Sequence, residues 1–165
     1  IENGALVQYP LRELESLRAN ERAFSGSSLT AKHSRACELR LTVDPHSAKH
    51  LCLHMAESEG EAFKIEYDVE RQVLRTDRSI AGYPMGKNGT PEEKPYREAI
   101  LPLKDGKLDL RVFLDTSSIE VFAADGTVSM SALFFPRGSA DRLSVSSDDG
   151  SASFSLTIWD IIAKE

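Results

Sequence analysis

The stretch Leu114–Pro136, LDTSSIEVFAADGTVSMSALFFP, decides the fold. If Thr116 and Ser117 form a two-residue loop, Asp115 faces Ser118, Leu114 faces Ile119, Val112 faces Val121 and Leu110 faces Ala123. The apolar residues of both strands then fall on one side of the hairpin. Asp125-Gly126 is a favoured pair for a type I′ turn, and pairing across it sets Ala123 against Val128, Val121 against Met130 and Ile119 against Ala132, on that same side. The result is a three-stranded antiparallel meander with one continuous core face: Leu110, Val112, Leu114, Ile119, Val121 and Met130. Its other face carries Phe113, Phe122, Leu133 and Phe135, an apolar set that requires cover from outside the sheet.

The same period of two runs through most of the chain. CELRLTV (37–43), HLCLHMA (50–56) and AFKIEYDV (62–69) alternate apolar with polar residues, as half-buried strands do. QVLRTDRS, YREAILPL, KLDLRVFL, SIEVFA, TVSMSALFF, RLSVSS and SFSLTIWDI bring the count to about ten strands. One long loop, IAGYPMGKNGTPEEKP (80–95), interrupts them with three Gly and three Pro. Near the N-terminus Leu11, Leu14 and Leu17 recur at intervals of three behind Pro10, which predicts one short helix. These signals predict an all-β protein, a two-sheet antiparallel β-sandwich with one short N-terminal helix.

Composition narrows the partners. At 165 residues the chain is one domain in size. Its 41% hydrophobic and 28% charged residues are those of a water-soluble globular domain. A net charge of -6 with no Lys/Arg run argues against nucleic acid and anionic membrane as partners, and no apolar segment is long enough to cross a bilayer as a helix. Cys37 and Cys52 lack zinc-like spacing with other ligands and are expected to be free thiols, which leaves the compartment open. His50, Cys52 and His54 alternate on one predicted strand, but the sequence places no carboxylate beside them, so no metal site and no cofactor is expected. Asn88-Gly89-Thr90 fits the glycosylation acceptor pattern, in the long loop. Trp159 is out of phase with Leu156 and Ile158 and is expected to pack against a loop or a neighbouring domain.

The run LRVFLDTSSIEVFAADGTVSMSALFFP resembles the characteristic segment of the C-terminal β-sandwich of glycoside hydrolase family 32, the β-fructosidases that include invertases, levanases, inulinases and sucrose-6-phosphate hydrolases. ALVQYPLRELESLR is similar to that family's connection between catalytic propeller and sandwich, typically a Gln-x-Pro-x-x-Glu-Leu run. The resemblance spans about Leu6 to Trp159. It implies that residues 1–22 form a linker and short helix leading from a catalytic propeller, and that residues 23–165 form the sandwich. It further implies that the partner is the propeller of the same polypeptide, with sucrose or fructan as the parent's substrate and homo-oligomerisation left open.

The resemblance also implies that the catalytic carboxylates lie outside these residues. The family's Asp in a Trp-x-Asn-Asp-Pro-Asn-Gly-like run, its Arg-Asp-Pro and its Glu beside a Cys have no counterparts here. Retaining hydrolysis of a β-fructofuranosidic bond needs two such carboxyls about 5–5.5 Å apart. No catalytic or substrate-binding residue is therefore expected in this chain. Asp115 and Glu120 are read as structural: Asp115 accepts from the amides of Ser117 and Ser118, and Glu120 lies diagonal to Arg111 across the strands. Asp125 and Gly126 form the turn, and Phe113, Phe122, Leu133 and Phe135 are the expected docking face. A fructan-binding module is the alternative reading of the same sandwich.

Overall fold

The computed structural model describes residue 4 and residues 6–162; the remainder of the expected linker, residues 1–3 and 5, and residues 163–165 lie outside the described set. Among the described residues twelve strands follow a short 3₁₀ helix at Arg12–Leu17. They are β1 (Arg18–Gly26), β2 (Leu29–Lys32), β3 (Cys37–Asp44), β4 (His50–Ser58), β5 (Glu61–Asp68) and β6 (Val73–Ile80), then β7 (Tyr96–Ile100), β8 (Leu108–Leu114), β9 (Ser118–Ala123), β10 (Val128–Leu133), β11 (Arg142–Ser147) and β12 (Ser153–Ile161). The first sheet has the order β1-β12-β3-β8-β9-β10 and the second β2-β11-β4-β5-β6-β7, six strands each. Every pairing is antiparallel. This is the expected all-β sandwich.

The meander has the predicted register: Leu114↔Ile119, Val112↔Val121 and Leu110↔Ala123 across one turn, and Ala123↔Val128, Val121↔Met130 and Ile119↔Ala132 across the other. Leu110, Val112, Leu114, Ile119 and Val121 are buried, and Met130 packs half-buried against them. Facing them from the second sheet are Leu53, Met55, Phe63, Ile65, Tyr67, Leu74 and Leu143. Phe134, immediately after β10, turns inward to meet Phe63 at a centroid distance of 5.2 Å. Tyr67 resolves its buried hydroxyl by donating to the carbonyl of Leu101 at 2.6 Å.

Ten strands match sequence signals, and β1 and β2 do not. In β1, RANERAFSG, a bulge between Ala19 and Arg22, with Asn20 at φ 50°, breaks the alternation that a period-two reading depends on. Residues 18–22, expected in the linker, thus belong to an edge strand paired with β12. β2 has only four residues, LTAK, in a stretch read as loop. The N-terminal helix is 3₁₀ rather than α, which the three-residue spacing of its leucines suits: a 3₁₀ helix has three residues per turn, so i and i+3 lie on one line.

One buried polar residue secures the bulged β4. His33 is 5% exposed; its Nδ1 donates to the carbonyl of Ser34 at 2.8 Å, and its Nε2 accepts the N–H of Ala56 at 3.1 Å. Ala56 sits at φ 49° in the irregular stretch between Met55 and Ser58, where the ladder to β5 offers its amide no partner. Burial lowers the imidazole pKa and so keeps the ring neutral; the tautomer with its proton on Nδ1, toward Ser34 O, leaves the Nε2 lone pair for the Ala56 amide, with Arg142 O also 3.1 Å from Nε2.

Candidate functional site

The outer face of the first sheet collects the unusual chemistry. Alternation sends Glu38 and Arg40 of β3, Arg111 and Phe113 of β8, Glu120 and Phe122 of β9, and Trp159 of β12 to this side. Glu38 is fully buried there, although it points away from the core. Arg18, the first residue of β1, grips it with two bonds, Nε to Oε2 at 2.8 Å and Nη2 to Oε1 at 2.6 Å, and Arg111 Nε adds a third to Oε1 at 2.7 Å. Burial alone would raise the Glu38 pKa, but the hydrogen bonds and charges of Arg18 and Arg111 outweigh it and hold the carboxyl below its ordinary value. Glu15, on the 3₁₀ helix, closes the cluster from above, with Oε1 3.1 Å from Arg40 and 3.4 Å from both Arg18 and Arg111.

The chain segment before β1 therefore lies over the sheet as a strap, held at two points. Besides Glu15, the backbone N–H of Gln8 donates to the carbonyl of Gly126 at 2.8 Å, and the Gln8 side chain bonds Ser129 Oγ. The strap explains Gly126 more fully than its turn does. Asp125 (φ 50°, ψ 40°) and Gly126 (φ 82°) form the expected turn with positive φ at both central positions, closed by Thr127 N–H to Ala124 O at 3.1 Å. A Cβ at residue 126 would also stand 2.6 Å from the carbonyl oxygen of Gln8 and 3.1 Å from the ring of Tyr9. Asp125 pairs with Lys104 at 2.7 Å, both largely exposed, a bridge of little energetic weight.

Phe113 and Phe122 meet edge to face, with centroids 6.2 Å apart and planes at 87°, and Arg111 lies 5.1 Å from the Phe113 ring centroid. Both rings are half-buried. Leu133 and Phe135 remain 53% and 44% exposed. The loop over 80–95 approaches there, since Tyr83 N–H donates to Phe135 O at 2.9 Å. Gly82 allows this approach, because a Cβ on it would meet that same oxygen at 2.0 Å. Trp159 packs rather than standing free: Arg18 covers its ring at 4.3 Å, and its Nε1 donates to Glu21 at 2.7 Å.

Two expectations need correction. Asp115 Oδ1 accepts the N–H of Thr116, at 2.7 Å, and not those of Ser117 and Ser118; the hairpin is closed instead by Asp115 N–H to Ser118 O at 2.9 Å. Glu120 is exposed opposite Phe113 and Ser131 and forms no ion pair among the described residues, because Arg111 is turned to Glu38. The sequence reading missed Glu38 and Arg18. Their signal was a glutamate in the outward phase of a strand, indistinguishable from a solvated one until the strap and β1 are seen to cover it.

Elsewhere, His50, Cys52 and His54 share the outer face of β4, but among the described residues no three His, Cys, Asp or Glu side chains converge as a metal site. Cys37 and Cys52 are free, and burial pushes both thiols up to about 12. Beside the strap an open cleft of about 720 Å³ runs along the sheet, with Tyr9, Arg40, Thr42, Lys107, Asp109 and Phe122 in its walls.

Comparison with known proteins fits this architecture. Residues 13–160 match the family described as Glycosyl hydrolases family 32 C terminal. The chain is 34% identical over 167 aligned residues to the raffinose invertase of Escherichia coli and 30% identical to the sucrose-6-phosphate hydrolase of Staphylococcus xylosus, covering 95% and 98% of this chain. It spans only about a third of those relatives' own length (32% and 33%). Among solved structures, the exo-inulinase of Aspergillus awamori superposes with a TM-score of 0.80 at 23% identity, over 96% of this chain and 33% of that one. The sucrose-6-phosphate hydrolase of Lactobacillus gasseri gives 0.78 at 25%, over 98% and 32%. With nearly its whole length matched, the chain belongs to the C-terminal β-sandwich domain family of the family 32 glycoside hydrolases.

Proposed function

We propose that this chain is the non-catalytic C-terminal domain of a longer β-fructosidase that hydrolyses β-fructofuranosidic bonds in sucrose or fructans, and that it stabilises that enzyme's catalytic propeller. The observation that carries the reading is the outer face of the first sheet. The strap enters across this face, so a preceding domain is tethered on that side, within about 3.3–3.6 Å per residue of the Gln8–Gly126 contact. Phe113, Phe122 and Leu133 lie in the outward phase of this face, and the exposed Phe135 follows β10, which supports reading them as the docking surface. Covering three or four such side chains contributes on the order of 1.5–3 kcal/mol for each one fully buried, less for the rings already half-covered. That is enough to keep two tethered domains docked.

In this reading the chain positions and stabilises, and the two carboxyls of the hydrolytic step belong to the propeller. The test is fructose release from sucrose, raffinose and levan. The 165-residue chain releases none, and the longer polypeptide turns over at least one of the three. Release by the pure 165-residue chain would overturn the reading.

The cleft beside the strap favours a second reading, the fructan-binding module. Two aromatic rings with guanidinium and carboxylate neighbours, in a space within the roughly 300–1,000 Å³ of small-molecule sites, are groups that could hold a sugar. Saturable binding of levan or inulin oligomers by the isolated chain, lost in Tyr9→Ala, would establish this reading; its absence leaves stabilisation as the function.

A further inference from the structure

The three guanidiniums gathered on the outer face of the first sheet are not equally satisfied. Glu38, fully buried beneath them, takes bonds of 2.6 to 2.8 Å from Arg18 and Arg111. These are the lengths of charge-assisted hydrogen bonds. Glu15 lies above them, and its single oxygen Oε1 serves all three, at 3.1 Å from Arg40 Nη2 and 3.4 Å from the Nη2 atoms of Arg18 and Arg111. Those contacts are longer than such bonds prefer, as follows when one oxygen is shared by three converging donors.

Register makes the convergence unusual. Arg40 of β3 and Arg111 of β8 are direct cross-strand partners, a placement that sets like charges side by side and costs stability unless an anion lies between them. Glu38 Oε1 is 2.7 Å from Arg111 Nε but 3.8 Å from Arg40 Nε, so the anion that holds Arg40 is Glu15. Three arginines against two glutamates leave one positive charge in surplus. The neighbouring carboxylates are engaged: Glu21 accepts from Trp159 Nε1, and Asp109 accepts from Thr42 Oγ1. Arg40 and Arg111 both line the open cleft beside the strap, where solutes reach them. The Glu15 side chain is 43% exposed, so its ion pairs exchange for water at little cost.

We infer that this cluster is a binding site for a phosphate-type oxyanion, inorganic phosphate or the phosphate of a phosphorylated sugar, which the Glu15 carboxylate fills from within the chain. A tetrahedral dianion offers a separate oxygen to each guanidinium, where Glu15 offers one to all three. Binding displaces Glu15, while the Gln8 N–H to Gly126 O bond keeps the strap attached. The site is complete within these residues and requires nothing of a preceding domain. The net charge of -6 disfavours anions generally, so saturable uptake reports this local surplus of positive charge.

The test is titration of the 165-residue chain with inorganic phosphate near neutral pH, with chloride holding the ionic strength constant and the chain followed by NMR. The expected result is saturation with a Kd on the order of 1–10 mM and shifts concentrated at Glu15, Arg40 and Arg111. Arg40→Gln weakens binding by about tenfold, and Glu15→Gln, which removes the competing carboxylate, tightens it by about tenfold. Both variants retain the bonds from Arg18 and Arg111 to Glu38 and stay folded, and Arg71→Gln, after β5 in the other sheet, changes nothing. Glucose 6-phosphate binding more tightly than inorganic phosphate assigns the site to phosphorylated sugars, and equal affinity assigns it to the free anion. Absence of saturation by about 50 mM phosphate overturns the proposal. So does a Glu15→Gln chain that binds phosphate no better than wild type, or saturable binding that Arg40→Gln leaves unchanged.

Discussion

Replacing Gly126 by valine probes the turn and the strap together, and the structure separates the two costs. A β-branched residue held at φ 82° carries a conformational penalty of about 1–2 kcal/mol. The new Cβ, 2.6 Å from Gln8 O, must displace the strap and break the Gln8 N–H to Gly126 O bond, a further loss of about 0.5–1.5 kcal/mol. The sum, about 1.5–3.5 kcal/mol, corresponds to a fall in Tm of roughly 3–14 °C for a chain of this size. Urea denaturation followed by circular dichroism gives the free energy, and two companion variants divide it. Gly126→Asn keeps the clash but tolerates the left-handed conformation, so it recovers much of the first part. Deleting residues 1–9 removes the strap's contact with the turn, and in that background Gly126→Val shows only the conformational part. The reasoning is refuted if Gly126→Val shifts the midpoint by less than the equivalent of about 0.5 kcal/mol, or if the cost of the substitution is the same with and without residues 1–9.

Glu38→Gln leaves Arg18 and Arg111 with Glu15 as their remaining counter-charge and costs about 2–3 kcal/mol at pH 7. Because the folded-state pKa of Glu38 is depressed, that contribution is complete above the unfolded-state value and is lost as pH falls through the folded one. Wild type and variant should therefore converge in stability in acid, which denaturation at stepped pH will show. His33 acts at higher pH: its pKa is lowered by burial, so stability is full above the unfolded-state value near 6.5 and declines as pH falls below it, a slope that His33→Gln should flatten. Asp115→Ala, losing one amide contact to Thr116, should cost about 0.5–1 kcal/mol with no direct effect on turnover in the longer polypeptide. Loss of turnover with an unchanged melting curve would assign Asp115 a functional role instead.

Much of the fold was legible because its core strands obey one rule. Within most strands from β3 onward apolar and polar residues alternate, and two turns with defined chemistry set the register of β8, β9 and β10 to the residue. The rule failed where pairing is marginal: β1 is bulged and charged, and β2 is too short to show a period. The candidate site was half legible. Phe113, Phe122, Leu133 and Phe135 stand out because apolar residues in the outward phase contradict the local pattern. Glu38 and Arg111 do not stand out, since charged residues in the outward phase agree with it, and only the strap together with Arg18 of β1 buries Glu38. Glu15 and Gln8, distant in sequence, supply that cover.

The central claim, that the outer face of the first sheet holds a catalytic propeller in its working state, is tested most directly by Phe122→Asp made in two backgrounds. In the 165-residue chain the ring is half-buried against Phe113, so the variant should remain folded, with the far-UV spectrum and cooperative unfolding of the wild type. In the longer polypeptide the same change should lower thermal stability and sucrose or fructan turnover together, because an aspartate placed in a docked apolar face must be desolvated while its cross-strand neighbour Arg111 is already committed to Glu38, at about 3 kcal/mol or more. Outright unfolding of the isolated chain would place Phe122 in the domain's own core. Unchanged stability and turnover in the longer polypeptide would mean that nothing docks on this face.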